Sequence, residues 1–577
     1  MRFTPIHHLQ IPVRMDTRLR GIPLPAPRFL TAAMSSRLSN VRGFSALQTY
    51  FPTLGKLFRI TKHHSKRIWL DSKYRITSLD ISGTSGACEV ELVENTDLSG
   101  EDVPGIKRPA FLKVTHLLDP IRWMKGEYSI PQKAGLPGHS KTWATASTKL
   151  QDLANQAYVE SIASYALGKL RDAGLSPHFN QFYGAFCATA DIYRYNLTEE
   201  FQSFRNTRWF WHGQNRGLYK LHVTDSKNNN NVVPQHVLDD ILREPSELDS
   251  ETESSEEEVD VDSINEDEAS LHSDKMSNIS FTEGPEENDE TGSISLTDDS
   301  YIEDKYGIYS EISMFPVMMI GLERNEGTMD ALLDDYSLVG SAPGSEQWEH
   351  QWSAWIFQVL AALSVAQTTL GFTHNDLHTN NIVWITTTEE FLYYTKQSGE
   401  TFKVPTYGKL FRIIDFGRSI FTINNQLFFS DDFKAGNDAD GQYCFKPLHP
   451  KPSVEIGPNP SFDLSRLAVS LFDALYPDTP PTKEGGITLS SEEGLIVEET
   501  VSPLYNVLWS WMLDDDGRNV LVEPSGEERF PDFDLYKHIA AKVHDAIPSH
   551  QFSKPAFDRF QVNPSEVKDV KKWSLFV

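Results

Sequence analysis

His374-Asn375-Asp376-Leu377-His378-Thr379-Asn380-Asn381 sets a carboxylate and an amide five positions apart, just after a long apolar run with helical spacing. Further on, Ile413-Ile414-Asp415-Phe416-Gly417 ends a hydrophobic strand pattern on a second carboxylate. One Asp to orient a hydroxyl, with an Asn and an Asp to hold a divalent cation, is the minimum equipment for moving a phosphoryl group. Neither short motif is rare alone; the two in this order and framing are hard to reach by chance.

Working outward, residues 347–370 read as one long helix carrying Trp352, Trp355, Ile356, Val359, Leu360 and Leu363. The chain beyond Phe462 is mostly helical in pattern. On the other side the pattern is strand-like. Alternation runs from Tyr74 through Ile81, a turn falls at Ser82-Gly83-Thr84-Ser85-Gly86, and 87–93 and 109–114 read as two more strands. Residues 146–171 read as a helix on Leu150, Leu153, Ala157, Val159, Ile162, Ala166 and Leu170, closed by Gly174 and Pro177. Strands are expected again at 178–184 and 314–320, with a short helix at 328–333. Strands with one helix come first and helices dominate later, which predicts an α+β fold in two lobes.

The net charge of −28 is unevenly spread over the 577 residues. Residues 244–304 carry 23 acidic residues against one lysine, and residues 1–76 carry 14 Lys plus Arg against two Asp. The tract at about 225–305 has too little apolar content to offset chain entropy and reads as a disordered acidic insertion. Ser246, Ser250, Ser254 and Ser255 within it precede acidic residues and resemble acceptors for acid-directed kinases. Residues 1–73 read as a basic, solvated and partly ordered extension, able to meet nucleic acid or an acidic partner. Three scattered cysteines, Cys88, Cys187 and Cys444, argue against a disulfide framework or structural zinc and for a reducing compartment. No apolar run approaches a bilayer span and no hydrophobic signal core opens the chain. The expectation is an intracellular, cytoplasmic, monomeric protein that is neither secreted nor membrane-bound.

With these motifs in place, the chain resembles the eukaryotic-type protein kinase superfamily. The form of its catalytic loop, and Tyr407-Gly408-Lys409-Leu410-Phe411-Arg412 before Ile413, are similar to the divergent kinases of large DNA viruses. If that likeness extends to the source, virion association is a further expectation. The resemblance covers roughly 74–545. It implies a small antiparallel-sheet N-lobe over 74–320, a helical C-lobe over 321–545 and a tail over 546–577. It implies ATP and Mg²⁺ as cofactors and a protein Ser/Thr hydroxyl as acceptor. Asp376 resembles the catalytic-loop Asp, and Asn381 and Asp415 the two magnesium ligands. Lys113, in Phe111-Leu112-Lys113-Val114, resembles the lysine that pairs with the α- and β-phosphates, and Glu160 its helix partner. Setting Glu89-Val90 on the family's phosphate loop places Gly83 and Ser85 on its first two glycines and Cys88 on its third, with Gly86 between. Val90 would line the nucleotide, and the adenine would meet the backbone near Glu323-Arg324-Asn325. Asp463 resembles the helix Asp that braces the catalytic loop.

Three departures stand out. Asn375 replaces the Arg that answers an activation-segment phosphate, so that control is not expected. His378 stands where serine/threonine kinases place Lys, a form shared with aminoglycoside- and choline-type kinases. No Ala-Pro-Glu follows Gly417 before Asp463. A small-molecule kinase and an inactive kinase-like scaffold are therefore weighed against the protein kinase. The four residues Lys113, Asp376, Asn381 and Asp415 oppose the scaffold.

Overall fold

The computed structural model describes residues 24, 26–29, 41–61, 63, 67–81, 86–94, 105–128, 136–138, 144–225, 233–245, 305–452 and 454–576. It is α+β, with antiparallel sheets in the first part and a helix-rich second part. Seven strands form the main sheet: β1 (Phe44–Gln48), β2 (Tyr74–Asp80), β3 (Ala87–Glu94), β4 (Ile106–His116), β5 (Phe182–Asn196), β6 (Lys220–Asp225) and β7 (Tyr306–Glu323). Their order is β1-β5-β7-β4-β3-β2, with β6 added on β7. Every pairing is antiparallel, and Lys113, Ile320 and Ala185 stand level across the centre. Beyond His116, which faces Val317, β5 and β7 run on past β4 as a ribbon joined by β6. Met314, at φ 54°, interrupts the extended backbone there.

Gly184 and Gly321 face each other in β5 and β7. A Cβ on Gly184 would lie 2.8 Å from the Trp69 ring, and one on Gly321 2.6 Å from the Ile76 side chain. The two glycines therefore make the hollow into which those side chains pack. Trp69 belongs to the stretch whose charge suggested a solvated extension. That reading is corrected for the described residues from 41 onward. β1 lies on the sheet edge, and Phe51, Leu54, Ile68 and Trp69 are buried. Helix α1 (Pro52–Phe58) buries Leu54 and Leu57, and Phe51 stacks on Tyr158 at 5.3 Å. Charge averaged over 76 residues conceals these few apolar anchors. Most of the earlier arm, residues 1–23 and 30–40, lies outside the described residues.

The helix expected over 146–171 is two: α2 (Ala144–Gln151) and α3 (Gln156–Asp172). Asn155 divides them. Its Oδ1 accepts the Ala157 N–H at 3.1 Å and its Nδ2 donates to the Leu117 carbonyl at 3.0 Å, so a polar side chain competes for the backbone and starts a new helix. The acidic tract also needs correction at one place. Residues 235–241 form a helix with Val237 and Ile241 buried, and Val233 just before it is buried too, an i, i+4, i+8 stripe inside the range read as disordered. Residues 226–232 and 246–304, which include Ser246, Ser250, Ser254 and Ser255, lie outside the described residues.

The second part is built on α4 (Glu346–Leu370), capped by Ser345, whose Oγ accepts the Trp348 N–H at 3.2 Å, and ended by Gly371 at φ 58°. By length and composition α4 could cross a membrane, contrary to the sequence reading, but 83% of its most apolar window is buried inside the protein. Trp352, Trp355 and Phe357 anchor it. A three-stranded sheet joins β8 (Gly327–Thr328), β9 (Ile382–Thr386) and β12 (Lys409–Ile413). Between the last two comes the hairpin β10 (Phe391–Thr395) and β11 (Thr401–Pro405). Helices α5 (Phe462–Leu475), α6 (Pro503–Trp511) and α7 (Asp534–Lys542) complete the core. The stretch from 546 is no loose tail. Residues 561–562 and 573–574 extend the β10–β11 hairpin on both sides, and Phe552, Phe557, Phe560 and Leu575 are buried.

Candidate active site

Asp463, at the start of α5, is fully buried. Its two oxygens accept the His374 N–H at 3.0 and 2.9 Å, and Oδ1 also accepts the Asn375 N–H at 2.9 Å. This carboxylate holds the backbone of the loop that carries Asp376. Asn375 sits at φ 66°, a conformation Asn tolerates better than most residues. Its Nδ2 donates to the Thr373 and Arg418 carbonyls, and its Oδ1 accepts from Tyr443 Oη at 2.7 Å. A neutral amide thus staples the loop where the family resemblance would put a cation. His374 Nε2 donates to the Ile414 carbonyl at 2.8 Å, and Asn381 O accepts the Ile414 N–H at 3.0 Å. These bonds bring the Asp376 loop against the strand end that carries Asp415.

Asn381 Nδ2 donates to the Asp376 carbonyl at 2.9 Å and lies 3.0 Å from His378 Nε2. Burial holds His378 below the ordinary imidazole range, against the pull of Asp376. Asp376 Oδ1 accepts from Tyr536 Oη at 3.0 Å and lies 4.0 Å from the Arg418 guanidinium. Burial would raise the Asp376 carboxyl; Arg418, His378, His374 and Arg466 outweigh it and hold the group below the usual carboxylate range.

Lys113, Glu160 and Asp415 come together from β4, α3 and the loop after β12. Lys113 Nζ is 2.6 Å from Glu160 Oε1 and 2.8 Å from Asp415 Oδ1. One ammonium is shared between two carboxylates with opposite results. Burial pushes Glu160 up to about 7 although Lys113 pulls it down. Burial would raise Asp415 too, but the Lys113 charge and hydrogen bond bring it down to about 2. The Asp415 side chain is 44% exposed and that of Glu160 4% exposed, which explains why Asp415 keeps its charge more readily. Burial opposes the Lys113 charge, yet the two carboxylates hold its pKa above the usual lysine range.

A second buried carboxylate steadies α3. Asp431 Oδ1 accepts the N–H of Gln156, the first residue of α3, at 3.0 Å, and Oδ2 lies 2.5 Å from Lys149 Nζ on α2. The Asp431 N–H donates to the Ala154 carbonyl at 2.7 Å. The segment after Gly417 therefore grips the N-terminus of the helix that bears Glu160.

Gly83 and Ser85 lie outside the described residues. Gly86 stands beside Lys113: its carbonyl accepts the Leu112 N–H at 2.7 Å, its φ is 79°, and a Cβ there would be 2.8 Å from the Phe111 ring. A groove of about 550 Å³ opens at this point, bounded by Gly86, Phe111, Lys113, Ile192, Tyr193 and Arg194. Val90 is not part of it. The β3–β4 register sets Val90 opposite Arg108, five residues before Lys113, and Val90 is buried in the sheet core. Glu323 is tied into the fold by its side chain. Its carboxylate binds Arg171 and lies 3.1 Å from Arg412, and its N–H donates to the Gln181 carbonyl. Burial would raise its pKa, but the two arginines lower it, so Glu323 is a structural anchor.

Sequence reading missed Tyr536, Arg418, Arg466 and Asp431. Only Arg418 had a signal, its place directly after Asp415-Phe416-Gly417. Among the described residues, no three His, Cys, Asp or Glu side chains are grouped to hold a metal. Asp415 and the Asn381 amide oxygen could supply two oxygen ligands to a hard cation, leaving the others to water or phosphate. No protein-family model matches the chain, and no curated protein matches it.

Proposed function

We propose that the protein is an ATP- and Mg²⁺-dependent protein kinase, a divergent member of the eukaryotic-type superfamily with a two-lobed arrangement. The observation that carries this reading is the Lys113–Glu160–Asp415 ion triad, joined by the His374–Ile414 and Asn381–Ile414 bonds to the loop that bears Asp376. Lys113, held by Glu160, would bind phosphate oxygens of ATP beside the Gly86 turn. Asp415 and Asn381 fit Mg²⁺ by the chemistry of their oxygens, and bound Mg²⁺ would neutralise phosphate charge. Asp376, kept ionised by its cationic neighbours, orients the acceptor hydroxyl and takes its proton. The acceptor oxygen bonds to the γ-phosphorus, the bond to the β,γ-bridging oxygen breaks, and ADP leaves.

The acceptor we favour is a protein Ser/Thr hydroxyl, with the long segment between Gly417 and Asp463 shaping its approach. A small-molecule kinase is the second reading, favoured by His378 beside Asn381. Incubation with γ-labelled ATP and Mg²⁺ tests both. Label on protein that disappears in Asp376→Asn supports the first. Label only on a small alcohol moves the assignment to the second. Label on protein that survives Asp376→Asn overturns the assigned mechanism.

A further inference from the structure

Asp376 and Tyr536 are 160 positions apart, yet their side chains meet at 3.0 Å. Tyr536 Oη also lies 2.9 Å from Arg466 Nε, and the Arg466 guanidinium sits 5.1 Å from the tyrosine ring centroid. The proton assignment is forced. A guanidinium can only donate, so the hydroxyl accepts from Arg466; a carboxylate can only accept, so the single hydroxyl hydrogen goes to Asp376. Tyr536 is fully buried, stacked on Phe533 at 5.1 Å and packed on Phe462 at 5.7 Å, so its ring has little freedom to turn away. Arg466 stands on α5 three residues after Asp463. One face of α5 therefore fixes the loop twice: Asp463 holds its backbone, and Arg466 holds its carboxylate through Tyr536.

We propose that Tyr536 is a positioning residue for phosphoryl transfer, pinning Asp376 Oδ1 so that Oδ2 is the oxygen presented to the acceptor hydroxyl. This rests on the reading of Asp376 given above. Tyr536 does not itself take the proton: burial pushes its hydroxyl up to about 12, so it stays a donor throughout the working range. The charge of Arg466 reaches Asp376 along this bond, and donation to an ionised carboxylate favours its charged form.

The test uses the full chain with Tyr536→Phe, which removes one oxygen and keeps the ring. The expected result is a fall in kcat of about tenfold, the size of one hydrogen bond to a charged group, with KM for ATP unchanged. Tyr536→Phe placed in the Asp376→Ala background should cost no further activity; a further tenfold loss there means packing alone and overturns the inference. A readout independent of turnover is a double-mutant cycle of unfolding in urea with the same two substitutions: their effects should be non-additive, and additive effects overturn the inference. If wild type transfers no phosphoryl group, the proposed function fails, and the cycle still decides whether Tyr536 and Asp376 are coupled.

Discussion

Around Asp376 the protein holds its chain by backbone hydrogen bonds, and around Lys113 it holds its chain by charge. Asp463 accepts from two N–H groups, Asn375 spends its amide on two carbonyls and a tyrosine, and His374 and Asn381 tie the loop to Ile414. Lys113, Glu160 and Asp415 come from three distant segments, and both carboxylates converge on the one ammonium. Hydrogen bonds of the first kind are indifferent to pH until Asp463 itself titrates. The second kind depends on which carboxylate carries charge. The loop is thus built to keep its shape, and on the proposed function the triad would respond to a phosphate or a cation.

Four substitutions would break or sharpen this contrast. Lys113→Met should lower phosphoryl transfer about a hundredfold or more, because a fixed cation lost at the phosphates cannot be replaced by water, while stability falls less, since Glu160, already pushed up to about 7, can take a proton when its ammonium partner is gone. A large thermal loss with modest activity loss would reverse the roles assigned to the two regions. Asp463→Ala should do the opposite in kind, lowering unfolding free energy by about 4 kcal/mol in urea titration, since two buried N–H groups lose their acceptor. Activity should fall with it as the Asp376 loop loosens.

Glu160→Gln is expected to change the pH dependence of stability. The folded Glu160 is pushed up to about 7 from an ordinary 4.5, so the folded state binds a proton that the unfolded state has released in that window. Its contribution is present below about 4.5 and lost as pH rises through about 7. Thermal melts should show Glu160→Gln gaining on wild type across the window at ~1 kcal/mol per pH unit. A constant difference would mean Glu160 stays ionised throughout. Gly86→Ala should cost about 2–3 kcal/mol, strain from the left-handed backbone plus a Cβ 2.8 Å from the Phe111 ring and 2.9 Å from the Leu112 carbonyl, read by urea titration alongside ATP affinity. Unchanged ATP affinity would separate the Gly86 turn from the phosphates.

The sequence made some of this legible and hid the rest for physical reasons. Asp376, Asn381 and Asp415 lie in short motifs whose spacing is fixed by local backbone geometry, so they can be picked out without knowing the fold. Lys113 and Glu160 could be named because each sits in an element with a clear period, the strand at 109–114 and the helix stripe from Ala157 to Leu170. The surroundings of Val90 were hidden because a strand's register cannot be read from the strand alone: the long β3–β4 connection sets Val90 against Arg108. Tyr536 and Asp431 gave no signal, since nothing in a helical tyrosine or a loop aspartate says what it meets 160 or 275 positions away. The packed residues of 41–73 were hidden by basic neighbours, and the packed residues after 546 lack a period long enough to detect.

The ribbon formed by β5, β6 and β7 has a practical consequence. Asp225 ends β6 and pairs with Tyr306, which begins β7, so the chain between them leaves and returns at adjacent points. The length of β7 from Tyr306 to Ile320 separates that doorway from the level of Lys113. Loop length between fixed, neighbouring ends changes stability only slowly. A fluorescent reporter spliced between Pro245 and Lys305, beyond the helix that buries Val237 and Ile241, should therefore be carried as a cargo module, letting the molecule be tracked in a living cell with its chemistry undisturbed.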